Sequence, residues 1–263
     1  MPDAPSRFDG SLPVVGILGG MGPAATADFY TKLVAATPGD RDQDHLRTVI
    51  WSDPSVPDRT AALLGTGPDP TPWLLRGGLV LRAAGASLIA IPCNTAHAFV
   101  PRLAGAVGVP IVHMIGEVAI HLASRRPRVR TAGLLATTGT VHAGLYQNWL
   151  GRHGIRTLLP PDDAQQAQVM AAIRAVKAGP SLAVRGGASD ALAAAAAGLV
   201  ARGAQAVVAG CTEIPLGLSA DRVGVPLVDP AVVLARALVR HAAGRLPPPP
   251  AARGVSAGIP YEP

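Results

Sequence analysis

The chain has 263 residues, 49% hydrophobic and 15% charged, an ordinary balance for a globular protein that fills one large core or two modest ones without staples. Its net charge of +6 rests on 21 scattered arginines and two lysines, with one short cluster at Arg125, Arg126, Arg128 and Arg130. No RRM, helix-turn-helix or basic-region pattern accompanies that charge, which argues against a nucleic-acid binder. No stretch approaches the ~20 apolar residues that span a bilayer, and residues 1–10 hold no apolar leader, so the expected location is the cytoplasm. In that reducing compartment Cys93 and Cys211 are expected to stay thiols, a structural disulfide between them being the other reading.

In chain order the patterning predicts a strand at 14–18, a helix at 24–37, a strand at 48–51, a helix at 71–84, a strand at 87–91 and a helix at 96–105. A strand at 110–113, a helix at 116–125, a strand at 131–135 and a helix at 140–154 follow. The series ends with strand 155–158, helix 163–178, helix 189–202, strand 206–209, strand 226–228 and helix 231–243. Apolar runs this short read as buried strands, and their alternation with helices builds doubly wound parallel sheets. Ligands of such sheets sit beyond the carboxyl ends of the strands, at the topological switch point.

The chain also repeats itself. Gly85-Ala86-Ser87-Leu88-Ile89-Ala90-Ile91-Pro92-Cys93-Asn94-Thr95 aligns with Gly203-Ala204-Gln205-Ala206-Val207-Val208-Ala209-Gly210-Cys211-Thr212-Glu213 at an offset of 118 residues. The segment from Gly16 to Gly22 matches that from Gly133 to Gly139 at 117, and Gly108-Val109-Pro110-Ile111-Val112 matches Gly224-Val225-Pro226-Leu227-Val228 at 116. Each half contains one cysteine, at the end of a buried run, so two similar halves can set two thiols face to face, the geometry of a two-base proton transfer. The expected fold is therefore two similar doubly wound parallel-sheet α/β domains related by pseudo-twofold symmetry, with the active site in the cleft between them. The first would span 13–115, completed by 223–245, and the second 116–222, with disordered tails at 1–12 and 246–263.

A thiol where a strand meets the next helix faces unpaired N–H groups and the positive end of the helix dipole, which lowers its pKa from about 8.5 and cradles an anion. Asn94 and Thr95 after Cys93, and Thr212 and Glu213 after Cys211, add polar groups to each cradle. A small core filler is the other reading of each cysteine; their equivalent positions in a duplicated unit favour chemistry. Neither cysteine has a second one nearby, and Cys93 with His97 supplies only two ligands, so no metal site is expected and His97 reads as a packing or supporting residue. The turn Gly19-Gly20-Met21-Gly22-Pro23 opens a helix, and Gly20-x-Gly22-x-x-Ala25 meets the loose dinucleotide pattern. A loop around a small anion and a bare tight turn are its other readings. Arg59, in Pro57-Asp58-Arg59-Thr60, is placed to grip a carboxylate with two prongs. Lys177 reads either as a compact ammonium in a site or as a cation closing its helix.

Six strings stand in register over residues 14–243: Gly16-Ile17-Leu18-Gly19-Gly20-Met21-Gly22-Pro23, Pro57-Asp58-Arg59-Thr60, Pro92-Cys93-Asn94-Thr95-Ala96-His97, Gly133-Leu134-Leu135-Ala136-Thr137-Thr138-Gly139-Thr140, Val176-Lys177-Ala178-Gly179 and Gly210-Cys211-Thr212-Glu213. Together they resemble the PLP-independent aspartate/glutamate racemase family, most of all its aspartate racemase branch. The resemblance implies an isomerase without a cofactor, a site between two α/β domains, and a homodimer. It implies Cys93 and Cys211 as the acid/base thiols. It gives Arg59, Thr60, Asn94, Thr95, Ala96, Lys177 and Thr212 the two carboxylates of a dicarboxylic amino acid, with Met21 and Thr137 lining the pocket. Asp53-Pro54-Ser55-Val56 departs from the Asn-Pro-Gln-like stretch frequent in that family, removing two amides near Arg59. Three rivals stand beside an aspartate racemase: a two-cysteine isomerase of another small acid such as a substituted succinate or a hydantoin, a nucleotide-binding oxidoreductase, and a non-catalytic dicarboxylate-binding protein.

Overall fold

The computed structural model describes residues 13–179 and 187–244; the tails expected to be disordered lie outside the described residues. All eight expected strands form: β1 (Val15–Gly19), β2 (Thr48–Ser52), β3 (Leu88–Ala90), β4 (Ile111–Val112), β5 (Thr131–Ala136), β6 (Arg156–Leu158), β7 (Ala206–Gly210) and β8 (Leu227–Val228). They build two four-stranded parallel sheets of identical order, β2-β1-β3-β4 and β6-β5-β7-β8. β1, β5 and β7 are buried at every residue, as strands with helices on both faces must be. In each sheet the chain runs outward to the second strand and then returns past the first, so the crevice opens beyond β1 and β3, and beyond β5 and β7. Cys93 and Cys211 stand just past β3 and β7.

The two halves exchange helices. Helix Met114–Ser124 follows β4 of the first sheet, yet its Ile115, Val118, Ala119 and Leu122 pack on Ala132, Leu134, Ala206 and Val208 of the second. Helix Pro230–Ala242 follows β8, yet Ala231, Leu234, Ala235 and Leu238 pack with Val15, Ile17, Leu88 and Ala90 of the first. The expected return of 223–245 to the first domain therefore divides. β8 is paired to β7 within the second sheet, and only the helix after it crosses back. The expected boundary after residue 115 likewise falls inside a helix.

Local departures have local causes. The helix expected at 96–105 is a 3-10 turn, Thr95–Ala98, followed by helix Val100–Val107, because Pro101 lacks an N–H and fits only a first turn. The one expected at 140–154 breaks into Thr138–His142 and Leu145–Arg152 at Gly144, which holds φ +61°. The stretch expected at 163–178 runs Asp162–Ala164 and Ala171–Lys177 about a π-helical segment Gln165–Met170. Helix Arg59–Leu63, capped by Asp58 accepting from the Ala61 N–H at 2.7 Å, is too short for periodicity to reveal. Among the described residues no helix is long and apolar enough to cross a membrane.

Candidate active site

A cavity of about 270 Å³ lies where the carboxyl ends of the two sheets meet. The first half contributes Met21, Arg59, Thr60, Cys93, Asn94 and Thr95 to its walls, and the second contributes Thr137, Lys177, Cys211 and Thr212. Ala96 is absent from that lining; it is fully buried in the core of the first half. Asp58, Met170, Ile173, Arg174 and Glu213 complete the walls. Asp58 lies in the string that carries Arg59, whereas Met170, Ile173 and Arg174 fall in the stretch 165–177 that ends at Lys177, where helical periodicity alone does not tell which residues meet the cavity.

Both thiols are free and buried, at 6% and 5% exposure. The Cys93 carbonyl accepts from His97 Nδ1 at 2.9 Å, and His97 Nε2 accepts from the Met114 N–H at 3.1 Å. These two roles require the neutral tautomer with its proton on Nδ1. Burial enforces it by lowering the His97 pKa to about 4. His97 thus ties the Cys93 turn to the start of the exchanged helix. Among the described residues no group of three or more His, Cys, Asp or Glu could hold a metal ion.

Cys211 is arranged differently. Its Sγ donates to Glu213 Oε2 at 2.9 Å, the Thr212 hydroxyl donates to the same oxygen at 3.3 Å, and Lys177 Nζ lies 3.6 Å from Oε1. Burial, and then the Glu213 carboxylate, push the Cys211 thiol well above its ordinary value, while Lys177 and the Glu213 N–H oppose them only in part. The lowering expected from a helix N-terminus is therefore reversed here. The helix that follows, Ile214–Gly217, is only four residues long, with Glu213 at its N-cap. Burial pulls the Lys177 ammonium down, but Glu213 and the two thiols raise it by more, so it stays protonated.

Arg59 is held tightly in its own loop. Nη1 donates to the Val56 and Pro57 carbonyls at 3.0 and 2.9 Å and Nη2 to the Met21 carbonyl at 3.3 Å, so the end-on fork expected of it is occupied. Its buried Nε has no partner, leaving the side edge of the guanidinium as the free donor edge. Asn94 is similar: Oδ1 accepts from the Tyr146 hydroxyl at 2.6 Å and the buried Nδ2 has no partner. Thr95, Thr137 and Thr140 join their hydroxyls in a ring of 2.9, 2.9 and 3.0 Å contacts that links the halves.

The glycine-rich turn after β1 is closed by the protein itself. The Gly20 N–H donates to Thr26 Oγ1 at 2.9 Å, and Gly20, at φ +92°, lies so near Asp53 that a Cβ would stand 2.3 Å from its backbone nitrogen. An amide committed in this way is not part of a phosphate cradle, which removes the basis for the dinucleotide reading.

The profile of the Asp/Glu/Hydantoin racemase family matches residues 18–238, and the chain belongs to that family. It is similar to a solved Picrophilus torridus aspartate racemase, at 31% identity and a TM-score of 0.77, covering 88% of this chain and 94% of that one. A putative Asp/Glu racemase from Yersinia pestis has the same fold at 23% identity and a TM-score of 0.70, covering 88% of this chain and all of its own. Among curated proteins, the broad specificity amino-acid racemase RacX of Bacillus subtilis (strain 168) is 28% identical over 169 residues, 61% of this chain and 71% of that protein.

Proposed function

We propose that the protein racemises a small dicarboxylic amino acid, aspartate in preference to glutamate, by proton transfer between Cys93 and Cys211 and without a cofactor. The observation that carries this reading is a cavity bordered by two buried thiols, two of whose lining residues, Asn94 and Arg59, each hold a buried donor, Nδ2 and Nε, without an acceptor. A buried polar group left unpaired costs ~1–3 kcal/mol, and a substrate carboxylate supplies the missing acceptors. One thiolate removes the α-proton while the opposite thiol delivers a proton to the other face, and the roles reverse for the other enantiomer. With no electron sink, the carbanion is stabilised by donors around the α-carboxylate that strengthen their hold as charge builds on it. Arg59 and Asn94 supply these from one half; Lys177, Arg174 and Thr212 supply cations and a hydroxyl for the second carboxylate from the other.

A wider substrate range is the second reading. A recess of about 240 Å³ walled by Pro23, Pro54, Val176 and Leu216 shares Met21, Arg59, Lys177 and Glu213 with the main cavity, and offers apolar room to a longer side chain. The family likeness extends the proposal to a homodimer in the cytoplasm; light scattering tests the assembly. The reaction itself is tested by following chiral composition with L- and D-aspartate, glutamate and a panel of neutral amino acids. Aspartate interconversion that persists in chelators and carbonyl reagents is expected. Turnover of none of them rejects the proposal, and faster turnover of a neutral amino acid replaces it with the wider range.

A further inference from the structure

The duplication that gives each half a cysteine is broken two residues later. Cys93-Asn94-Thr95 aligns with Cys211-Thr212-Glu213, so Thr95 stands where Glu213 stands. The Thr95 hydroxyl bonds to Thr137 and Thr140, whereas the Glu213 carboxylate accepts from the Cys211 thiol at 2.9 Å and is anchored by Lys177 on its other oxygen. Among the described residues the Cys93 sulfur has no such carboxylate bond. Glu213 is 3% exposed and belongs to the walls of the cavity, so its charge is poorly screened by water.

We propose that Glu213 makes the two thiols unequal: it holds the proton on Cys211 in the substrate-free site, leaving Cys93 as the base of the resting enzyme and Cys211 as its acid. This rests on the two-thiol reading above and adds a positioning residue to it. The groups facing Cys211 are Glu213 on its own turn, Lys177 at the end of helix Ala171–Lys177, Tyr146, whose phenol feels the Cys211 charge, and Arg59, Asp58, Cys93 and Arg174 around the cavity. Removing the Cys211 proton sets two anions side by side with one ammonium to share. The burial and charge that raise its pKa act in the same direction.

For the enantiomer whose Cα–H faces Cys93, that proton passes to the Cys93 thiolate, the Cys211 S–H bond breaks, and its proton joins the opposite face of Cα. The site then holds a Cys93 thiol and a Cys211 thiolate, and exchange with solvent restores the start. For the mirror image, Cys211 must first give its proton to Glu213, or through it to water, and Cys93 must gain one. The two directions therefore start from two tautomers of one singly protonated thiol pair; Glu213 sets their ratio, while the equal energy of the enantiomers keeps kcat/KM the same in both directions at every pH.

The test is alkylation of the full-length protein with iodoacetamide across a pH series, with each cysteine quantified by peptide mass spectrometry. Cys93 is expected to react first as pH rises, with the Cys211 midpoint at least about one pH unit higher, a tenfold difference in thiolate at a given pH. Glu213→Gln should bring the Cys211 midpoint down toward that of Cys93, while Glu213→Asp should restore part of the separation. Coincident midpoints in the natural protein overturn the proposal, as does a folded Glu213→Gln variant whose Cys211 midpoint is unmoved. If that variant does not fold, the natural protein and Glu213→Asp decide. Unequal midpoints without racemisation reject only the function, and racemisation with equal midpoints rejects only the role of Glu213.

Discussion

The Tyr146 hydroxyl, from the second half, donates a 2.6 Å hydrogen bond to Oδ1 of Asn94, the residue after Cys93 in the first. Tyr146 is fully buried, and burial raises its pKa well above the usual phenol value, so it remains a donor across the working pH range. The bond fixes the Asn94 amide, whose buried Nδ2 is left without an acceptor beside the cavity. Tyr146→Phe should strand Oδ1 and cost ~1–3 kcal/mol of stability in urea unfolding, with kcat/KM lowered about tenfold or more as the Asn94 donor loses its aim. Unchanged kcat/KM would show that Asn94 does not touch the substrate.

Gly139 admits Thr60 against the second half. A Cβ at position 139 would lie 2.8 Å from Thr60 Cα, which is backbone and cannot swing aside. Gly139→Ala should therefore wedge the halves apart, costing ~1–3 kcal/mol as overpacking does, and weaken substrate binding more than a surface change would. A variant of natural stability and KM would place the closure elsewhere.

Acid should loosen the fold through His97 and His113, whose rings pack 4.8 Å apart and whose pKa values burial lowers to about 4 and about 3. Both groups are kept neutral by folding, so the unfolded chain takes up protons first as pH falls below the ordinary value of about 6.5. Stability is complete above that pH and declines toward pH ~4, by up to about 1.4 kcal/mol per pH unit for each histidine that resists protonation. Urea midpoints measured from neutral pH downward should show this slope, and His97→Gln should flatten it. A flat profile in the natural protein would contradict the neutral pair.

Arg59→Lys should be costly for two reasons. A lysine cannot reproduce the three carbonyl contacts to Met21, Val56 and Pro57 that hold this loop to the glycine turn. It also lacks the planar side edge for a carboxylate. A loss of at least about tenfold in kcat/KM is expected; an activity close to natural would move the carboxylate grip to Lys177 and Arg174.

Much of the fold is legible in the sequence because the strands are continuous apolar runs and the duplication marks equivalent loops. Those loops, with the family strings, assign both thiols, the Arg59 turn and Lys177 to one region of the molecule. Each of the two lysines in this arginine-rich chain enters an ion pair, Lys32 with Asp28 and Asp229, and Lys177 with Glu213. The helix exchange is not legible. An amphipathic helix such as Met114–Ser124 carries the same pattern whichever sheet it covers, and β8 is too short to name its partner. The role of Glu213 is hidden because its contact with Lys177 spans distant parts of the chain. The raised Cys211 thiol is hidden for the same reason: helix-dipole reasoning looks only at neighbours in sequence, whereas burial and a side-chain charge decide the outcome.

Cys93 and Cys211 are proposed to serve opposite faces of one α-carbon, and deuterium entry at Cα in heavy water tests this directly by proton NMR. The natural protein should place deuterium in the inverted product of either aspartate enantiomer. Cys93→Ala and Cys211→Ala should each abolish inversion, while residual α-proton exchange survives for at most one enantiomer, a different one in each variant. Near-natural inversion by either single-cysteine variant would contradict the account.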